Sequence, residues 1–210
     1  MILFRIPSLT HQLFPNIIWH FPDKLKQVFL SFDDGPDENF TPQILEILQR
    51  EKVSASFFIP GERAKKSPSL VKSIQQNGNT IGIHSYEHQS LFFKPEKYIF
   101  EQLSKSKNII EQIIDEPVKY FRPPFGRFSP AVNKVCRQLD LKIVMWNLMS
   151  YDFDLKVSDN FILNFMETKS YGGDTIVFHD GHKNSGRTVK ILPLVIKILK
   201  DKGFKLTLIS

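Results

Sequence analysis

Asp33 and Asp34 stand side by side in FLSFDDGP, residues 29–36. Val28, Phe29, Leu30 and Phe32 before them read as a buried strand, and Gly35-Pro36 turns the chain immediately after. Two adjacent carboxylates at the end of an apolar strand repel each other and lose hydration. A bound cation would offset that cost. One acid, ligated, loses much of its charge, and the other can then stay ionised nearby as a base. His84 and His88, in IGIHSYEHQ, would complete such a centre. At i and i+4 they share one face if the chain turns helical after a strand. Two histidines plus one aspartate form a zinc shell that leaves a position open for water. The pair alone is weak evidence, because most such spacings are caps or surface residues; the carboxylates strengthen it.

Three further side chains belong to the same argument. Arg122, in YFRPPFGRF, precedes Pro123-Pro124, which stiffen the backbone around a planar fork suited to holding a carboxylate. Taken alone it would be a surface arginine. His179 ends the apolar run TIVFH and, taken alone, would be a structural histidine. Its weight comes from sharing an end of the strands with two acids and two histidines. His182, two residues beyond Asp180, reads as a loop residue.

The elements that must position these groups alternate. Strand patterns fall at 27–32, 54–59, 79–83, 118–121, 141–146, 174–178 and 204–209. Helical patterns lie between them at 41–51, 67–78, 94–114, 129–139, 157–169 and 186–203, the first with Thr41 as its expected N-cap and Pro42 at its first helical position. Seven strands in 210 residues give about 30 residues per unit, the size of a βα step. Crossovers through helices imply parallel strands, either in an open doubly wound sheet or in a closed barrel. The unusual polar residues fall at strand C-terminal ends: Asp33 and Asp34, His84, Arg122, Asn147 with Asp152 and Asp154 just after, then His179 and Asp180. In a βα barrel those ends make one face, where active sites lie.

Composition excludes several classes. With 41% hydrophobic residues, 19 Phe and 24% charged residues, the chain can bury a core and is not disordered. The net charge of +6 is scattered, with no basic run of the kind that binds nucleic acid. A single cysteine, Cys136, allows neither an internal disulfide nor a cysteine-based zinc site. Residues 1–26 read as an arm packed on a domain of residues 27–210. No leader or bilayer-spanning stretch is legible, so the cytoplasm is the default expectation and stable membrane insertion is not expected.

SFDDGP, HSYEH, RPPFG and IVFHD, in this order, closely resemble the motifs of the polysaccharide deacetylases, carbohydrate esterase family 4 with the NodB homology domain. The resemblance covers roughly residues 27–207. It implies an irregular (β/α)7-type barrel with parallel strands and outer helices. It further implies Asp33 as catalytic base, Asp34, His84 and His88 as metal ligands, Arg122 steering the base, the Phe125 N–H as oxyanion donor and His179 as catalytic acid. The metal implied is zinc, with cobalt or nickel as substitutes, and the partner is an acetylated glycan, although the family often works outside the cell. One motif departs. Where the family shows Asp-x-x-Asp-Trp, this chain has MWNLMSYDFD; alignment on Trp146 puts Met149, Asp152 and Phe153 at those positions, with Asp154 two residues away as the other register. The implied activity is metal-dependent removal of N-acetyl groups from a sugar polymer or oligosaccharide. The rivals are an O-acetyl esterase or other amidase on the same scaffold, and an inactive glycan-binding domain, against which the intact acids and histidines argue.

Overall fold

The computed structural model describes residues 5, 6, 8–22 and 26–209. Helix α1 (Ser8–Leu13) precedes strand β1 (Gln27–Asp33). Then follow α2 (Thr41–Arg50), β2 (Ser56–Ile59), α3 (Gly61–Lys66), α4 (Pro68–Gln76), β3 (Thr80–Ile83) and α5 (Glu96–Ile114). The second half contains β4 (Tyr120–Phe121), α6 (Pro130–Gln138), β5 (Lys142–Ile143), β6 (Leu148–Met149), α7 (Asp159–Lys169), β7 (Thr175–His179), α8 (Ser185–Asp201) and β8 (Lys205–Thr207). The strands pair in the order β5-β4-β3-β2-β1-β7-β6, all parallel, and β8 pairs with the first part of β1. The sheet curls into an open barrel of the (β/α)7 type with the helices outside.

Alternation along β1 divides the interior in two. Val28, Leu30 and Phe32 face the helices, and Phe32 packs between its register partners Phe57 and Phe178 at ring centroid distances of 4.9 and 6.0 Å. Phe29, Ser31 and Asp33 point the other way, into the barrel. There Phe29 joins Phe58, Tyr120, Val144 and Ile209 in a second cluster. Ile18 and Phe21 from the chain before β1 pack on that cluster, Phe21 stacking on Phe29 at 4.0 Å. The barrel floor is thus lined largely by apolar side chains.

Among the described residues, eight short strands replace the seven expected. The apolar run 141–146 yields only the two residues of β5, and the chain then crosses to β6 at the other edge of the sheet. Edge strands leave backbone groups unpaired, and the residues before β1 occupy both edges. Ile18 N–H donates to Ile143 O and Ile18 O accepts from Met145 N–H, while Ile6 N–H donates to Asn147 O. Helix α3, GERAKK, has no apolar periodicity and so left no signal. Thr41 is not an N-cap: Phe40 holds that position, and Thr41 Oγ1 instead accepts from Asp37 N–H and donates to Asp180. Asn147 also lies elsewhere. It precedes β6, at the opposite end of the barrel, where it pairs with Asp174 (2.7 Å) and Thr175 N–H (2.8 Å). Among the described residues no helix is long and apolar enough to cross a membrane.

Candidate active site

Asp33 is the last residue of β1 and is in register with His179, the last residue of β7. His84 directly follows β3, and Arg122 directly follows β4. Strict alternation would send Asp34 outward, away from Asp33. Its positive φ of 74° breaks the alternation, a conformation that aspartate tolerates better than most residues. Both acids therefore serve the top of the barrel.

The two loops that carry this pair interlock. A Cβ on Gly35 would lie 2.0 Å from the Asp180 carboxylate, and one on Gly181 would lie 2.1 Å from Asp34 O. Asp180 is buried beneath the turn, where it accepts from Gly35 N–H (3.1 Å) and from Thr41 Oγ1 (2.6 Å). Burial, with the nearby Asp34 charge adding to it, pushes the Asp180 carboxyl up to about 7. Gly181→Ala would drive a methyl into backbone. It is expected to cost about 1–3 kcal/mol, read as a lower midpoint in denaturant unfolding; unaltered stability would contradict the close approach.

His84 and His88 do not lie on a helix. The chain after β3 is irregular, and positive φ at Ser85 (60°) and His88 (56°) folds it back. Ser85 Oγ accepts His88 N–H at 3.1 Å. The imidazole rings still meet, with centroids 4.9 Å apart. His84 Nδ1 lies 2.7 Å from Arg122 O, and a carbonyl can only accept, so Nδ1 carries the hydrogen and Nε2 the lone pair. Burial holds the His84 ring below its usual pKa, chiefly by desolvation, which favours the neutral ligand form. Asp34 Oδ1 lies 2.9 Å from His88 Nε2 and 3.5 Å from His84 Nε2. Ligand atoms about 2.0–2.1 Å from a tetrahedral cation stand ~3.3 Å from one another. This donor set fits a divalent metal, and its ligand atoms all lie within 4.8 Å of each other. Burial alone would raise the Asp34 carboxyl, but the His88 hydrogen bond, with the other neighbouring histidines behind it, outweighs that and holds the carboxyl well below the usual range.

Arg122 is fully buried. Its Nη1 donates to Asp33 Oδ1 (2.6 Å) and Ser31 Oγ (2.8 Å), its Nε to Val144 O (3.1 Å) and its Nη2 to Met145 O (3.1 Å). Its guanidinium lies 3.9 Å over the Phe58 ring, which roofs the apolar floor. A buried guanidinium needs both a counter-charge and partners for its N–H groups. Asp33 supplies the first, and Ser31 with two carbonyls supplies the rest.

Asp152 is the acid that faces His179. Its Oδ1 is 2.8 Å from His179 Nδ1, and its Oδ2 accepts His179 N–H at 2.8 Å. Ser150 Oγ and Thr188 Oγ1 also donate to it, so the carboxylate is fixed from four directions. Asp154 instead accepts Lys156 N–H within its own loop. Burial would lower the His179 pKa, but the Asp152 charge and hydrogen bond, with Asp34 and Asp33 behind them, push it up to about 9. The Phe153 ring stands 4.9 Å from His179, and Phe125 stands 4.9 Å from His88 with its backbone at φ 58°. A pocket of about 310 Å3 is enclosed by Asp33, Asp34, His84, His88, Phe125, Trp146, Met149, Phe153, His179 and His182. The supporting hydroxyls of Ser31, Ser85, Ser150 and Thr188 had no legible signal, because isolated serines and threonines are common everywhere.

Residues 22–144 match the polysaccharide deacetylase family. A peptidoglycan-N-acetylglucosamine deacetylase of Bacillus cereus is 30% identical over 195 residues, covering 92% of this chain and 91% of the relative. The crystal structure of a peptidoglycan N-acetylglucosamine deacetylase superposes with a TM-score of 0.87 at 32% identity, over 92% of this chain and 91% of that one. A pseudoenzyme of family CE4 from Bacillus anthracis superposes nearly as well, with a TM-score of 0.84 at 27% identity over 91% of this chain and 66% of that one. Backbone likeness therefore does not separate active from inactive relatives, and the side chains have to. On the extent of the sequence match and the agreement of the fold, this chain belongs to the polysaccharide deacetylase family, the carbohydrate esterases of family 4.

Proposed function

We propose that this chain is a metal-dependent hydrolase that removes the acetyl group from an N-acetylated sugar in a glycan, releasing acetate and leaving an amine. The single observation that carries the reading is the juxtaposition of a metal-type donor set, Asp34, His84 and His88, with two separately held proton-transfer groups, Asp33 and His179. A divalent cation, zinc by preference for two imidazoles and a carboxylate, would supply Lewis acidity toward an acyl oxygen and lower the pKa of water toward ~7.

The remaining work falls to the chain. Asp33 takes a proton from the attacking water at the oxygen that Arg122 leaves free. Arg122, rigid in its carbonyl cage, keeps that carboxylate aimed. The Phe125 N–H donates to the oxyanion of the tetrahedral intermediate, a kind of donor worth about 3 kcal/mol. His179 delivers the Nε2 proton to the departing nitrogen, with Nδ1 held by Asp152. Phe153 and Trp146 wall the pocket with apolar surface suited to a sugar face and an acetyl methyl.

Acetate release from N-acetylated chitin oligomers and peptidoglycan, with zinc present, is the direct test. Release from O-acetyl but not N-acetyl substrates would replace the amidase reading with an esterase. His84→Ala and His88→Ala should each strip metal and activity together, by at least ~10-fold in metal affinity. Metal content that survives both changes, measured by elemental analysis, would remove the cluster from the mechanism.

A further inference from the structure

His182 stands where two cavities meet. One is the pocket just described. The other, about 510 Å3, opens beside it and is lined by Pro60, Glu62, Arg63, Glu87 and Lys183. Asp34, His88 and His182 belong to both. The reaction steps above give His182 no task.

Its imidazole is held in one tautomer by the backbone. Asn184 N–H donates to His182 Nδ1 at 3.2 Å. An amide N–H can only donate, so Nδ1 accepts and the hydrogen of the neutral ring sits on Nε2. Burial, and then the neighbouring His179 charge, lower its pKa and keep it neutral. The segment is pinned at further points. Ser185 Oγ accepts His182 N–H (3.0 Å) and donates to His179 O (2.8 Å), and Asn184 Nδ2 donates to Phe153 O (2.7 Å). The Phe153 ring stands 4.9 Å from His179 and 6.0 Å from His182, spacing the two histidines. Among the described residues no protein group takes the Nε2 hydrogen of His182. The result is a neutral, oriented donor at the lip of the pocket, facing a polar groove.

We infer that His182 is a specificity-determining residue whose Nε2–H donates to an oxygen of the glycan chain, a hydroxyl or ether on the sugar next to the one that loses its acetyl group. This rests on the glycan reading above. The adjoining groove suits a hydroxyl-rich neighbour, because Glu62 and Glu87 accept and Lys183 donates along it. A sugar ring leaving the pocket on that side passes His182, which lines both cavities.

Two substitutions separate this role from a structural one. His182→Asn keeps an acceptor for Asn184 N–H but removes the outer donor. His182→Gln places an amide N–H near the position of Nε2. The zinc-loaded chain is compared with both, using the N-acetylglucosamine tetramer and monomer. The readouts are KM and kcat from acetate release, and Kd from calorimetric titration of the tetramer. His182→Asn is expected to raise KM and Kd for the tetramer about tenfold, the effect of one lost hydrogen bond, with a smaller change in kcat and a smaller effect on the monomer. His182→Gln is expected to stay within about threefold. An unchanged Kd in His182→Asn, a loss confined to kcat, or a larger loss in Gln than in Asn would each overturn the inference. If the wild-type chain releases no acetate, the hydrolase reading fails by itself; tetramer binding that His182→Asn weakens would still uphold the donor, and no tetramer binding at all would end both.

Discussion

Asp33→Asn is expected to abolish turnover, by ~10³-fold or more, while the chain still binds one divalent cation. The size follows from the role proposed for the carboxylate: general base catalysis contributes about 10²–10⁴-fold, and an amide cannot accept the proton at all. The persistence of the metal follows from the geometry. Asp33 is bonded to Arg122 and lies outside the three-residue cluster. The fold should survive too, because an Asn Oδ1 can still accept from Arg122 Nη1 and Ser31 Oγ remains on the same nitrogen. Some stability is lost, since removing one partner of a buried pair typically costs about 3–5 kcal/mol and the amide recovers only part of that. Asp34→Asn should show the opposite order, with metal affinity falling first and activity following it. Metal titration and single-turnover acetate release on both variants distinguish the acids. A metal-free Asp33→Asn beside a metal-replete Asp34→Asn would mean that base and ligand are exchanged.

Asp152→Asn is expected to cut kcat by ~10²-fold, within the usual range for acid–base catalysis, and to shift the basic limb of the pH–rate profile to lower pH. The sign follows from the direction of the shift. An acid must be protonated when the leaving nitrogen departs, so activity falls as pH rises through its pKa. His179 is pushed up to about 9, against its own burial, mainly by the Asp152 charge and hydrogen bond. Without that charge, burial is left to act, and the pKa moves down toward or below the ordinary value of ~6.5. A bound cation lowers the limb in both proteins, so the wild-type-to-variant difference is the quantity to read. Metal content should not change. Asp154→Asn is the control, since its carboxylate accepts Lys156 N–H within its own loop. A pH effect in Asp154→Asn and none in Asp152→Asn would transfer the tuning role by two residues.

The candidate reacting groups were legible in the linear chain. Two acids at the end of an apolar strand, a histidine pair, an arginine before two prolines and a histidine closing another strand all lie at or just after strand C-terminal ends. Strand patterns and charged residues are local properties, so reading along the chain recovers them. Asn147 shows the limit. It looked like a strand end because the run 141–146 is apolar apart from Lys142, yet only two of those residues form a strand before the chain crosses the barrel.

Tertiary structure decided how those groups are held. Backbone dihedrals at Asp34, Ser85 and His88 turn side chains that a regular strand or helix would have pointed elsewhere, and no residue type announces a positive φ outside glycine. The choice of Asp152 over Asp154 depends on where Ser150, Thr188 and the His179 N–H stand, all contacts between segments distant in sequence. The same is true of Asp180 under the Gly35 turn, and of Ile18 and Phe21 on the barrel floor. Residue chemistry is carried by the chain itself. Orientation, tautomer and proton affinity arise only where separate segments meet, because each depends on a partner that the linear order does not place nearby.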